Sequence, residues 1–178
     1  MHEHSSIPRL NGVTETRWLN EDEQQAWRGL LAANARIDRL LDEQLQRDSG
    51  MPHAYYTVLV ALSEQPGRAC RMSVLAELTM SSQSRVSHAV ARLEERGWVR
   101  RNPSTSDGRG KLAVLTDAGR KALRDAAPGH VEQVRRVLFD RLTPEQVRQL
   151  REITDAVTGG DEQSAADPGA DGASALTR

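Results

Sequence analysis

Apolar positions recur at helical spacing through most of this chain, and polar breaks divide them into separate elements. Trp27, Leu30, Leu31, Asn34, Ile37, Leu41 and Leu45 form a stripe at i, i+3, i+4, i+7. That spacing predicts one long helix from Trp18 or Leu19 to about Arg47. Asn20 caps it, with Glu21, Asp22 and Glu23 beside the positive end of the helix, and Ser49-Gly50 ends it. Pro52 suits the first turn of a second helix, His53 to Ser63, with Tyr56, Leu59, Val60 and Leu62 inward. Gln65 to Arg68 reads as a loop and Ala69-Cys70-Arg71 as a short strand. Ser73 reads as the cap of a short helix, Val74 to Thr79, which a polar turn at Met80-Ser81-Ser82 closes.

The next helix pattern, Gln83 to Arg96, is the most informative. Ser82 is its N-cap and Gly97 its stop. Val86, Ala89, Val90 and Leu93 share one face and predict a buried side. Ser84, Ser87, His88, Ala91 and Arg92 fall opposite, with Arg85 at the flank. Trp98 to Arg101 and Leu112 to Leu115 then read as two strands around the polar tip Asn102 to Lys111. Helix, turn, helix and β-hairpin is the order of a winged helix-turn-helix, which sets its second helix in a DNA groove.

Beyond the hairpin, Thr116 caps a helix whose apolar positions are Leu123, Ala126, Ala127, Val131, Val134, Val137 and Leu138. Pro128 inside it predicts a bend or two segments ending near Arg141. Thr143-Pro144-Glu145-Gln146 is a fresh start with a capping box, and Val147, Leu150, Ile153, Thr154 and Val157 form that helix's apolar side. Residues 1–17 lack periodicity and read as a flexible arm, and the Gly-, Ala-, Ser- and Asp-rich stretch 159–178 reads as a disordered tail.

Charge sharpens the picture. Between Ser84 and Lys111, seven cations face three anions, a net +4 within a chain of formal charge −1. A local basic patch in a near-neutral protein is an electrostatic footprint for nucleic acid. Ser82, Ser84, Arg85, Ser87, His88 and Arg92 can reach base edges and phosphates from the helix. The hairpin tip carries Arg109 and Lys111 with two glycines, and an arginine on such a tip can enter a minor groove. Asp107, two positions from Arg109, reads as an orienting partner for its guanidinium.

Several segments together resemble the MarR family of dimeric transcription regulators. They are Ser73-Val74-Leu75-Ala76, Ser84 to Glu94, Gly97-Trp98-Val99-Arg100-Arg101, Asp107-Gly108-Arg109 and Leu115-Thr116-Asp117-Ala118-Gly119. The resemblance spans roughly residues 20 to 157. It implies a mainly α fold with a small β-wing, in which 51–116 form a winged helix-turn-helix DNA-binding domain. The stretches 18–50 and 117–158 then supply dimerisation helices. It implies a pseudo-palindromic operator, with helix 83–96 in the major groove and wing 102–111 toward the minor groove. It further implies a repressor relieved by a small aromatic or phenolic molecule. Gly108 stands where the family often carries the first of two adjacent cations at the wing tip.

Composition excludes other classes. Hydrophobic residues are 38% and aromatics 3% of the 178 residues, a lean core for such long helices, so some apolar surface is expected to be buried between subunits. No apolar run approaches the length of a membrane span. The first ten residues lack the apolar core of a signal peptide, and a cytoplasmic protein is expected. No phosphate-binding glycine loop, HExxH or nucleophile elbow is present, so neither an enzyme nor a cofactor is expected.

Three further groups carry possible chemistry. Cys70, the single cysteine, lies between Arg68 and Arg71, whose charges would lower a thiol pKa; redox sensing is the alternative to an inert thiol. His53 and His130 could meet near the dimer junction as metal ligands, but no Cys/His spacing supports that, so solvated or hydrogen-bonded histidines are expected and no metal. Trp27, His53, Tyr55 and Tyr56 fit plain core packing, while the resemblance implies an effector pocket in their region. A winged-helix interaction module without DNA binding remains the alternative function.

Overall fold

The computed structural model describes residues 16–103 and 111–159; of Pro103 and Lys111 only the backbone is described. The expected arm at 1–15, the wing tip 104–110 and the tail from residue 160 lie outside the described residues. The chain divides after Asn34 into two compact units.

In the first unit, α1 (Glu21–Ser49) begins on Asn20. The Asn20 side chain accepts from the Glu23 N–H, and Glu23 accepts from the Asn20 N–H, both at 2.8 Å. This reciprocal pair satisfies two otherwise unpaired donors. Trp27, Leu30 and Leu31 lie on this part of α1 and are about half exposed.

The second unit holds the core. It contains α2 (His53–Glu64), a 3-10 turn (Pro66–Arg68), β1 (Ala69–Arg71), α3 (Met72–Leu78) and α4 (Gln83–Glu95). There follow β2 (Val99–Pro103), β3 (Lys111–Leu115), α5 (Asp117–Val137), a 3-10 turn (Phe139–Arg141) and α6 (Pro144–Thr158). Leu45, Leu59, Leu62, Leu75, Val90 and Leu93 are fully buried and draw α2, α3, α4 and the C-terminal part of α1 around one centre. The sheet order is β1-β3-β2, antiparallel throughout, with Cys70 opposite Ala113 and Arg101 opposite Ala113 from the other side. The expected third strand against the hairpin is therefore present. Winged helix-turn-helix topology, mainly α with a small sheet, is what these elements make.

Several local expectations change. The α3 helix begins two residues early, with Arg71 rather than Ser73 at its N-cap and no side-chain cap bond. Pro52 stands at the N-cap of α2, one place before the first turn. α5 runs unbroken through Pro128. Proline forfeits one helix bond, but Pro128 faces outward, and buried Ala126 and His130 on either side keep the helix seated. Its inner face is also more polar than expected. His130 and Gln133 are buried there, whereas Val131, Val134, Val137 and Leu138 are only partly covered. α6 has its capping box at Thr143 and Gln146 but buries no residue; Ile153 and Val157 are 61% and 77% exposed.

The hairpin and α5 meet at Gly119. A Cβ there would lie 2.1 Å from the Trp98 carbonyl oxygen, so only glycine lets α5 start against the base of β2. Thr116 secures the junction. Its hydroxyl accepts from the Gly119 N–H and donates toward the Gly97 and Trp98 carbonyls.

Candidate nucleic-acid interface

The turn between α3 and α4 is a Schellman closure. Ser81 N–H bonds to Ala76 O and Met80 N–H to Glu77 O. Met80 occupies the left-handed position (φ 47°), a place that usually favours glycine, and its side chain is 94% exposed. Ser82 then caps α4, its hydroxyl accepting from the Arg85 N–H at 3.3 Å. Val86, Ala89, Val90 and Leu93 are buried, so the opposite face is held outward by the core itself. On that face Ser84, Arg85, Ser87, His88 and Arg92 are all exposed, while Ala91 is half-buried. Gly97 (φ 70°) ends the helix with a second Schellman closure, Trp98 N–H to Leu93 O and Gly97 N–H to Glu94 O.

The cations of this region divide into two groups. Arg85 and Arg100 have no side-chain hydrogen bond or ion pair among the described residues. Arg92, Arg96 and Arg101 are engaged within the protein. Arg92 pairs with Glu95 at 2.8 Å. Arg96 lies 5.0 Å from the Trp98 ring centre and 5.7 Å from that of Tyr55, and donates to the Gly50 carbonyl at 3.0 Å. Arg101 donates to the Ser87 carbonyl at 2.9 Å and faces the Glu94 carboxylate. The basic patch read from sequence thus overstates the free charge on the described surface. Asp107 and Arg109 lie outside the described residues, as does the side chain of Lys111.

Two clefts open beside α2, and the first of them also touches α4. The first, about 360 Å³, is lined by Asp38, Asp42, His53, Thr57, Thr79 and Arg85 among others. The second, about 310 Å³, shares His53, Thr57 and Thr79 and adds Tyr56, Met80 and His130. His53 Nδ1 lies 2.9 Å from an Asp38 oxygen, and its backbone N–H bonds to Asp42. The Tyr56 and His130 rings stand 4.3 Å apart. Both side chains are buried, and neither Tyr56 Oη nor His130 Nδ1 finds a partner among the described residues. Burial raises the Tyr56 hydroxyl to about 12. Burial, then the neighbouring His53, lowers His130 to about 4. Of the expected pocket residues, His53 and Tyr56 line these clefts, whereas Tyr55 packs beside Arg96. Trp27 belongs to the first unit and is 53% exposed. His130, expected to be solvated or hydrogen-bonded, is instead buried at this cleft, its ring centre 5.7 Å from that of His53.

Cys70 is 5% exposed. Burial first, then the charge of Glu77, raises its thiol pKa, the opposite of what its arginine neighbours in sequence suggest. Among the described residues, no three His, Cys, Asp or Glu side chains are placed to hold a metal. No described helix is long and apolar enough to cross a membrane.

Comparison with known proteins brings these features together. The MarR family profile matches residues 49–110, from the end of α1 to the edge of β3. A MarR family transcriptional regulator from Streptomyces coelicolor, Sco3205, solved in complex with DNA, shares 52% identity at a TM-score of 0.77. The match covers 86% of this chain and 96% of that one. The chain belongs to the MarR family. A second MarR regulator from Streptomyces coelicolor, AbsC, is 42% identical at a TM-score of 0.74, covering 82% of this chain and 97% of that one. The transcriptional repressor MprA of Escherichia coli (strain K12) is 26% identical over 111 residues. The chain spans 62% of that curated relative's length, and the match is 62% of this chain.

Proposed function

We propose that this MarR-family regulator binds double-stranded DNA as a homodimer, with α4 as the recognition helix in the major groove. The observation that carries this is the exposed row Ser84, Arg85, Ser87 and His88, whose side chains make no hydrogen bond or ion pair among the described residues, held outward by four buried residues on the other side of the same helix. Arg85 and His88 are the residues that read bases. Ser82 and Ser84 serve the phosphates at the N-terminal end, and Arg92, already paired with Glu95, serves as a backbone contact. Arg109 and Lys111 extend the wing toward the minor groove, with Asp107 orienting Arg109. The exposed apolar residues of α1 and α6 are the surface a second copy covers, which assigns 18–50 and 117–158 to dimerisation. A twofold protein then requires a pseudo-palindromic site.

DNA occupancy makes the protein a repressor, as the name of the MprA relative states for that protein. A small aromatic or phenolic molecule relieves it from the clefts around His53. Support for this comes from Tyr56 Oη and His130 Nδ1, two buried polar atoms without partners among the described residues, on side chains that wall one cleft. Arg85 at the wall of the other cleft links occupancy to the reading face. The absence of an apolar span in the described helices is consistent with a cytoplasmic regulator.

The test is binding to a duplex selected by the full-length protein from a random-sequence pool. Arg85→Ala or His88→Ala should change base preference, with a loss of about 1–3 kcal/mol where a bidentate contact disappears. Uniform weakening on every sequence would make both residues phosphate contacts. No salt-dependent binding to any duplex would favour the interaction-module alternative.

A further inference from the structure

We propose that Glu94 and Arg101 form a positioning pair that fixes the wing relative to α4, so that one subunit engages both DNA grooves at once. The inference rests on the reading of α4 and the wing as the two DNA-contacting elements. Glu94 lies in the last turn of α4 and Arg101 in the middle of β2. One Glu94 oxygen accepts from the Arg101 backbone N–H at 3.1 Å. The other lies 3.7 Å from the Arg101 guanidinium, which also donates to the Ser87 carbonyl at 2.9 Å. One strand residue is thus joined to α4 at two positions, Ser87 and Glu94, about two turns apart. β2 is an edge strand, and Glu94 takes an N–H that the ladder leaves unpaired.

The chemistry explains why these two residue types occur here. A groove-reading arginine is expected to be exposed and free, whereas the Arg101 side chain is only 25% exposed and spent on protein acceptors. A carboxylate near DNA repels phosphate, so Glu94 opposes binding by charge alone. Its presence is accounted for if it holds the guanidinium and strand in place. The planar fork of arginine can address a carboxylate and a carbonyl together, which a lysine ammonium does less well.

Both accounts can be separated with the intact protein and the selected duplex. On charge alone, Glu94→Gln should tighten binding. As a positioning residue it should weaken binding to the selected duplex by about tenfold, while binding to random duplex is unchanged or tighter. The decisive measurement is a double-mutant cycle with Arg109→Ala. That change should weaken binding in the wild-type background and have at most about one-third of that fold-effect beside Glu94→Gln, because an unpositioned wing has little left to lose. Arg101→Lys, which keeps the charge, should reproduce the loss of coupling in part, with unaltered far-ultraviolet circular dichroism. Equal effects of Arg109→Ala in both backgrounds, or tighter binding by Glu94→Gln to the selected duplex, overturn the proposal. If Arg109→Ala has no effect in the wild type, the wing reading itself falls and the pair loses this role with it.

Discussion

Replacing Gly119 by alanine sets two well-known effects against each other, and the geometry decides between them. Alanine in place of glycine favours a helix by up to about 1 kcal/mol. At Gly119, however, the new Cβ would sit 2.1 Å from Trp98 O and 2.8 Å from Leu115 Cδ1. Relief to 3.0 Å needs a displacement of about 0.9 Å, and the obstacle is backbone oxygen rather than a flexible side-chain end. That oxygen is also the acceptor for the Thr116 N–H and hydroxyl, both at 3.0 Å. Moving α5 away loosens these bonds and the Thr116 cap, each worth about 0.5–1.5 kcal/mol. A net loss of about 1–3 kcal/mol is expected, or a melting temperature lower by about 2–12 °C at this chain length. Gly29 is the matched control. It lies in α1 with nothing within 4 Å of its added Cβ, so Gly29→Ala should stabilise by about 0.5–1 kcal/mol. Urea and thermal unfolding at fixed protomer concentration measure both, since association shifts apparent stability. A Gly119→Ala protein as stable as the wild type would refute the argument from close approach.

Stability should fall as pH drops from about 6.5 toward about 4, because the unfolded chain protonates His130 before the folded one does. His130→Phe should flatten that part of the profile in unfolding titrations. Cys70 should react with a thiol reagent near neutral pH far more slowly than it does in the urea-unfolded chain, as its burial and raised pKa require; equal rates would reopen the redox alternative. Sedimentation of the intact protein should give a dimer, and Leu31→Asp with Ile153→Asp should shift it toward monomer. A wild-type monomer at micromolar concentration would remove the assignment of α1 and α6 to dimerisation.

The two faces of α4 are legible in the sequence because a 3.6-residue repeat of Val86, Ala89, Val90 and Leu93 leaves little choice about which side is inward. The Thr143 capping box and the cap at Ser82 are legible for a similar reason, since both act within one turn. What escapes depends on partners distant in sequence. Arg101 counts as a free cation in the sequence, but Glu94 and the Ser87 carbonyl claim it in the fold. His130 looks like an outward residue, yet it packs on Tyr56 from a different helix. Cys70 has Arg68 and Arg71 beside it in the chain, but its environment is set by burial and by Glu77 on α3. The α3 boundary shifts because Ser73, a good cap by type, is already inside the helix.

Arg96 gives α4 a heel. Its guanidinium lies near the Tyr55 and Trp98 rings and is tied to the Gly50 carbonyl, so the C-terminal end of the helix is anchored to the corner between α1 and α2. The N-terminal end, by contrast, leaves a short turn with an exposed methionine at its apex. On the proposed reading of α4 as the recognition helix, any adjustment to DNA that keeps this anchor turns the helix about its Arg96 end and moves Ser84 and Arg85 farther than Arg92.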